Sequence, residues 1–404
     1  MKQTIVPILL GGDLNAYGMA TAFYEAGIFP SYALGRYRLG VSGHSRFVKQ
    51  VIDRRMEHDE GRRALILETA DHHPGARFVL LGCTDEYAAF LIRNAYRFDR
   101  RFIIPSPLER MLRYADKCCF IEEMKRREVP TPSTLVIEGE EAIPESVPFC
   151  YPAVLKPTNS EEYWHHPFRG MRKVWFPETR AEAEAIRQRI RKAGYRAPLL
   201  LQERIPVKDT DNYVLTVYCN RFAKVKAAVF GRVLLEEHTP RGLGNHAAIL
   251  TAAPPPICKK LLGFLEEIGY CGFANFDLLF DKRRGGYLVL EMNLRQGRSN
   301  HYMLAAGCNP ASLILADRLD NEDPPCFVGR REVLWHSVPL SVVEAGIDDK
   351  ELRERVRALA ATGRSVSALG QRADLRKNLW RRLFLLEHER RIRKRSARLL
   401  REGL

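Results

Sequence analysis

An open parallel α/β domain followed by a mixed α+β, strand-rich region is the fold class that this sequence predicts. Three observations predict it. Apolar strand-like runs alternate with helical patterns over residues 1–105, strand signals dominate residues 199–295, and the pattern from Asp349 onward is helical and basic. With 404 residues, 46% hydrophobic and 28% charged, the chain can bury a large core and divides into packed subdomains. The boundaries expected are 1–105, 106–198, 199–330 and 331–404.

The elements follow in order. Thr4–Leu10 and Arg77–Gly82 read as buried strands, each followed by a helical pattern, Ala16–Ala26 and Asp85–Arg93. Ligands bind such sheets at the carboxyl ends of strands, which here are Gly11, Gly12, Asp13 and Cys83, Thr84, Asp85. A helix is expected over Leu108–Arg127, then a Pro-rich connection, strands at Leu135–Ile137 and Ala153–Lys156, and a helix at Glu178–Ala193. Strands are expected at Leu199–Arg204, Tyr213–Cys219, Ala223–Phe230, Asn275–Phe280 and Tyr287–Asn293, with a helix at Pro256–Ile268 between them. No repeat or low-complexity tract appears.

Several classes are set aside. No stretch approaches the ~18 apolar residues of a membrane-spanning helix, and the apolar run in MKQTIVPILLGGD is short for a secretory signal. The nine cysteines are scattered without a C-x-x-C pair, which predicts a reduced, cytoplasmic setting and no zinc site. The net charge is +15, and residues 351–404 alone hold 16 Lys and Arg against 6 Asp and Glu. That bias predicts either an anionic partner or a solvated basic helix.

The chemistry concentrates around Asp277 and the run Glu291-Met292-Asn293. Glu291 and Asn293 are two apart on one strand and share a face. Antiparallel pairing across the turn Lys282–Gly286 would bring Asp277 to them and make a site of hard oxygen ligands, suited to Mg²⁺ with substrate phosphates. The plain alternative is a hairpin with a polar outer face. Arg295 and Arg298 follow at once, and guanidinium groups bind phosphoryl and tetrahedral oxyanions bidentately. Lys156 ends an apolar strand and Lys117 lies in the Leu108–Arg127 helix; together they suit a phosphate clamp. The loop Thr158–Val174 is placed to fold over phosphates, although it is poor in glycine. Leu199–Pro206 is an apolar strand whose polar end, Gln202-Glu203-Arg204-Ile205, can offer backbone groups to an adenine.

In this order and spacing the segments resemble the ATP-grasp superfamily, and within it the D-aspartate ligases of Gram-positive bacteria, over nearly the whole chain. The carrying segments are Pro7–Ala20, Leu155–Ser160, Gly244-Asn245, Gly272–Asp277 and Asn293–Ser299. The resemblance implies an ATP-grasp fold behind an N-terminal open parallel domain. It also implies a reaction in which ATP activates the side-chain carboxylate of D-aspartate as an acyl phosphate. The acceptor would be the lysine ε-amine of a peptidoglycan precursor peptide. Carried over, Lys117 and Lys156 would hold phosphates, Gln202, Glu203 and Ile205 would line the adenine, and Asn212 would lie near the ribose. Asp277, Glu291 and Asn293 would bind Mg²⁺, with Mn²⁺ as the alternative ion, and Arg295 and Arg298 would hold the carboxylate or acyl-phosphate oxygens. The substrate side would draw on Gly11, Asp13, Arg46, Asp85, Asn245 and Ser299. Many D-alanine-type relatives carry Arg two residues before the metal Asp; here Asn275 stands there, so that duty passes to Arg295 or is absent.

Other readings stand beside this one: an ATP-grasp ligase for a different acid or amine, and a non-catalytic basic protein binding membranes or nucleic acid. A dinucleotide oxidoreductase is the weakest, because Gly11-Gly12…Gly18 lacks G-x-G-x-x-G spacing. The partners expected are a small amino acid and an anionic, amine-bearing cell-wall precursor, without nucleic acid. In the tail, Trp380, Leu383 and Phe384 fall at i, i+3, i+4 among arginines. Two readings of this helix remain open: peripheral contact with an anionic membrane, or packing of the apolar face on the core.

Overall fold

The computed structural model describes residues 4–238, 242 and 244–401. In chain order the strands are β1 Ile5–Leu10, β2 Ser31–Gly35, β3 Val48–Ile52, β4 Arg77–Gly82, β5 Phe102–Ile103, β6 Thr134–Ile137, β7 Ala153–Pro157, β8 Leu199–Glu203, β9 Asn212–Cys219, β10 Val225–Glu236, β11 His246–Ala252, β12 Gly272–Asp281, β13 Gly286–Asn293, β14 Phe327–Val328, β15 Leu334–His336 and β16 Ser365–Ser367. The helices are α1 Leu14–Glu25, α2 Asp59–Asp71, α3 Asp85–Asn94, α4 Lys117–Arg126, α5 Ser160–Trp164, α6 Arg180–Lys192, α7 Pro256–Glu267, α8 His301–Ala305, α9 Pro310–Arg318, α10 Leu340–Ala345, α11 Lys350–Ala361, α12 Arg372–Leu375 and α13 Leu379–Arg401.

The N-terminal region is a parallel sheet in the order β3-β2-β1-β4-β5. β1 and β4 are adjacent and in register from Ile5 opposite Arg77 to Leu10 opposite Gly82. Their carboxyl ends therefore open side by side, and each leads into a capped helix. Asp13 accepts the backbone N–H groups of Asn15 and Ala16 at the start of α1, and the Thr84 hydroxyl accepts that of Tyr87 at the start of α3.

A small antiparallel sheet, β6-β8-β7, packs under α6. Leu199–Glu203 is its middle strand, paired on both sides. The chain beyond Glu203 leaves the sheet.

The large sheet runs β13-β12-β9-β10-β11-β15-β16, with β14 beside β10. It is covered on both faces, so its strands read as nearly continuous apolar runs. On β9, Leu215, Val217 and Cys219 face α7 and α4, where Phe264, Leu261 and Phe120 close the layer. Val214 and Tyr218 point the other way, into a core shared with α1, α9, Trp335 and Leu385. That second core joins the parallel domain, the large sheet and the C-terminal helix into one body.

Three further expectations are corrected. The expected helix Leu108–Arg127 is a 3₁₀ stretch, Glu109–Ala115, followed by α4. It breaks because the Asp116 carboxylate accepts the N–H groups of Cys118 and Cys119, ending one element and capping the next. The strand expected at Ala223–Phe230 starts at Val225 and runs on to Glu236. In the tail, Phe384 packs against the core whereas Trp380 and Leu383 face solvent, so the three do not share one buried face.

Candidate active site

The site grows from the β12–β13 hairpin. From the turn the pairing starts with Asp281 opposite Gly286 and proceeds to Leu278 opposite Val289; it then shifts, so that Asp277 lies opposite Glu291 and Asn275 opposite Asn293. Leu290 is the extra residue of this bulge. Without it Asp277 would face Leu290, and Asn275 would face Met292. One inserted residue thus replaces an apolar face with an acidic one, a known use of bulges beside functional sites. Asn293 Nδ2 donates to Asp277 Oδ2 at 3.3 Å, and Asn275 Nδ2 donates to Asp277 Oδ1 at 3.3 Å.

Asn275 is itself buried and accepts the Thr216 hydroxyl at 2.7 Å. It braces Asp277 and leaves no room for a larger side chain at Gly297, whose added Cβ would meet Asn275 Oδ1 at 2.5 Å. A neutral amide here means that no arginine stands on this strand beside Asp277.

Cations ring the pair. Lys117, the first residue of α4, places Nζ 3.4 Å from Glu291 Oε2. Burial pushes the Glu291 carboxyl up, but Lys117, Lys173 and Lys156 overcome that and hold it down at about 2. Asp277 goes the other way: burial first, and then the Glu291 charge, push it well above the carboxylate range. Burial, reinforced by the neighbouring Lys117 and Lys173 charges, lowers the Lys156 ammonium to about 8. Among the described residues no three His, Cys, Asp or Glu side chains form a metal-binding group; here two carboxylates and one amide converge. That set fits Mg²⁺, which takes few protein oxygens and completes its shell with water and phosphate.

Lys173 was not singled out from sequence. It sits in the loop after α5, which is tied down where the Leu155 and Trp175 backbones exchange hydrogen bonds at 2.9 Å and Tyr163 Oη donates to the Arg172 carbonyl. Phe168 stacks on Trp175. Aromatic packing, not glycine, shapes this loop.

A cavity of about 1090 Å³ leads from Glu291, Asn293 and Lys117 to Gly11, Asp13 and Asp85 at the strand ends of the parallel sheet. Gly11 takes a φ of +120° there, and a Cβ would press on Cys83 at 3.2 Å. Two arginines bind this wall together. Arg295 Nε donates to Asp85 Oδ1 at 2.7 Å, and Arg298 lies 2.9 Å from Glu237 and 3.8 Å from Asp13. Asn245 joins the same group by donating to Glu237 at 3.4 Å. Burial raises the Asp13 carboxyl, against the pull of Arg298.

The remaining candidates spread out. Gln202 is buried and donates to the Thr134 hydroxyl. The Glu203 carboxylate is taken up by Arg283 and Arg284 of the hairpin turn, so its side chain is committed to structure. Ile205 packs with Leu279 and Leu288 of the hairpin, and Leu279 lies on the Asp277 face of β12. Asn212 donates to Glu236 at 3.0 Å, and burial with the nearby Asp209 lifts the Glu236 carboxyl to about 7. Ser299 is buried in the turn before α8. Arg46 lies away from the cavity wall: its N–H and guanidinium bond Asp374 and the Arg376 carbonyl, so it tethers the C-terminal segment.

No family model matches the chain. It is 33% identical over 377 residues to the D-aspartate ligase of Enterococcus faecium (strain Aus0004), covering 88% of each chain. Among solved structures it resembles an L-amino acid ligase from Bacillus licheniformis, with a TM-score of 0.54 at 16% identity, over 78% of this chain and 74% of that one. It also resembles the biotin carboxylase domain of the Hydrogenobacter thermophilus 2-oxoglutarate carboxylase, solved with the magnesium salt of ADP. There the TM-score is 0.54 at 16% identity, over 79% of this chain and 71% of that one. At such identities the structural likenesses establish the fold alone.

Proposed function

The chain belongs to the D-aspartate ligase family, on the ATP-grasp fold, and we propose that it joins the side-chain carboxylate of D-aspartate to the lysine ε-amine of a UDP-MurNAc-pentapeptide. It is an ATP-dependent ligase that forms a carbon–nitrogen bond. The observation that carries the finer reading is the bulge-aligned group Asp277, Glu291 and Asn293, facing three lysines and opening on the Asp13–Arg298 wall.

In this reading Lys117, Lys156 and Lys173 neutralise the ATP phosphates. The chain beyond Glu203 and the Ile205 side chain bound the adenine, Gln202 fixes their strand, and Asn212 with Glu236 meets the ribose. Asp277, Glu291 and Asn293 would hold Mg²⁺, which would supply charge neutralisation at the phosphates. A D-aspartate carboxylate oxygen attacks the γ-phosphorus and ADP leaves. The amine then attacks the acyl carbon, phosphate leaves, and the amine gives up a proton. Arg295 and Arg298 donate to the carboxylate and then to the oxyanion of the tetrahedral intermediate, where fixed donors are worth most. Gly11, Asp13, Asp85 and Asn245 shape the amino-acid and acceptor side, with Ser299 behind them. ATP, Mg²⁺ and a soluble nucleotide-linked acceptor place the reaction in the cytoplasm.

The test is ADP release from ATP and Mg²⁺ with D- or L-aspartate and a lysine-bearing precursor, with products weighed by mass spectrometry. The reading expects ADP and an added aspartyl mass with the D-isomer. Equal turnover of L-aspartate, or turnover of another acid in preference, would overturn the substrate assignment.

A further inference from the structure

Helix α13 has two opposed faces, and only one belongs to the core. Arg381, Phe384, Leu385 and His388 follow helical spacing and point inward. Arg381 is fully buried: it pairs with Asp374 at 3.1 Å, donates to the Val41 carbonyl at 2.6 Å, and lies over the Tyr17 ring. This face fixes the helix as a rigid part of the protein.

The opposite face should then be polar, but it begins with leucines. Leu379, Leu383 and Leu386 fall at i, i+4, i+7, with relative exposures of 66%, 47% and 66%, and Trp380 beside them is 69% exposed. Arg390, Arg393 and Lys394 continue the same stripe along the helix. Residues 376–395 hold nine basic and two acidic side chains. The apolar end of the stripe lies beside the loop that carries Tyr37 and Leu39, both exposed and both lining the large cavity. α13 pins that loop, with Arg381 on the Val41 and Gly43 carbonyls, Asn378 on the His44 carbonyl, and Phe384 against Gly40.

We propose that the outward face of α13, Leu379, Trp380, Leu383 and Leu386 with the arginines and lysine beyond them, is a docking surface for an anionic phospholipid membrane. The leucines and the tryptophan enter the headgroup boundary while the basic side chains meet lipid phosphates. Charge complementarity selects this occupant over a second copy, which would bring one basic stripe against another. Among the described residues no helix can cross a membrane, so the contact is peripheral. It sets the cavity mouth near the surface, and it does not depend on which amino acid the ligase uses.

The experiment is co-sedimentation of the full chain with vesicles of phosphatidylglycerol or of phosphatidylcholine. The chain should pellet with the first and stay in solution with the second, and added salt should release it. The doubly substituted Leu383→Glu, Leu386→Glu protein should bind about tenfold more weakly or worse, with unchanged melting and unchanged ligase rate on soluble substrates. A second variant, Arg390→Glu with Lys394→Glu, lies clear of the core and should weaken binding similarly. Failure of the native chain to pellet with phosphatidylglycerol, or equal pelleting of native chain and both variants, would overturn the proposal. So would a concentration-dependent dimer abolished by the leucine substitutions, without vesicle binding, because the stripe would then be a self-association face.

Discussion

Lys156 offers a pH-dependent test at the level of a single side chain. With its ammonium lowered to about 8, it is charged below that pH and neutral above it in the nucleotide-free protein. ATP phosphates favour the charged form, so above pH 8 binding must take up a proton, and affinity should fall about tenfold per pH unit. Calorimetric titration of ATP across this range checks the slope, and Lys156→Met should flatten it. Glu291→Gln removes one of two carboxylates at nearly constant volume. ADP formation should fall about 100-fold or more while the melting temperature holds; native turnover in that variant would remove Glu291 from the metal site. Asp277, Glu291 and Asn293 were legible in sequence because polar residues interrupt apolar strands at matched positions. Lys173 was not, because it belongs to a loop without periodicity and reaches the site only through the packing of Phe168 and Trp175.

The buried ion pair that seats the C-terminal helix can be tested as an element. Asp374 and Arg381 are both fully buried, and Asp374 also accepts the Tyr17 hydroxyl and the Arg46 N–H. Asp374→Ala would leave a buried guanidinium without its counter-ion and should cost about 3–5 kcal/mol, read by denaturant unfolding; a change within ~0.5 kcal/mol would mean that the pair does not hold the helix. Sequence reading located β1, α1, β4, α3, β12 and β13 because each has a long run of one period and a marked end. It missed β2 and β3: Ser31–Gly35 and Val48–Ile52 are short, and what makes them strands is pairing with β1 and with each other. The Leu290 bulge was also out of reach, since register belongs to two strands together. The Asp116 break was readable in principle, because an aspartate before Lys-Cys-Cys is an ordinary N-cap.

Three sheets converge on one cavity, and each supplies a part that the others lack. The small sheet carries Lys156, the large sheet carries the acidic pair, and the parallel sheet presents Gly11, Asp13 and Asp85. The surplus of positive charge suits an acceptor rich in phosphate and carboxylate, so its Michaelis constant should rise with ionic strength as attraction beyond the ~8 Å screening length is lost. A salt-independent value, measured at fixed ATP, would count against an anionic acceptor. An acyl phosphate made from the D-aspartate side chain is the central step of the proposed reaction. Turnover of D-aspartate labelled with heavy oxygen in its carboxylates tests this directly. Mass analysis of the released phosphate should find one labelled oxygen per turnover, carried across when the amine displaces phosphate from the acyl carbon. Unlabelled phosphate accompanying amide formation would contradict it.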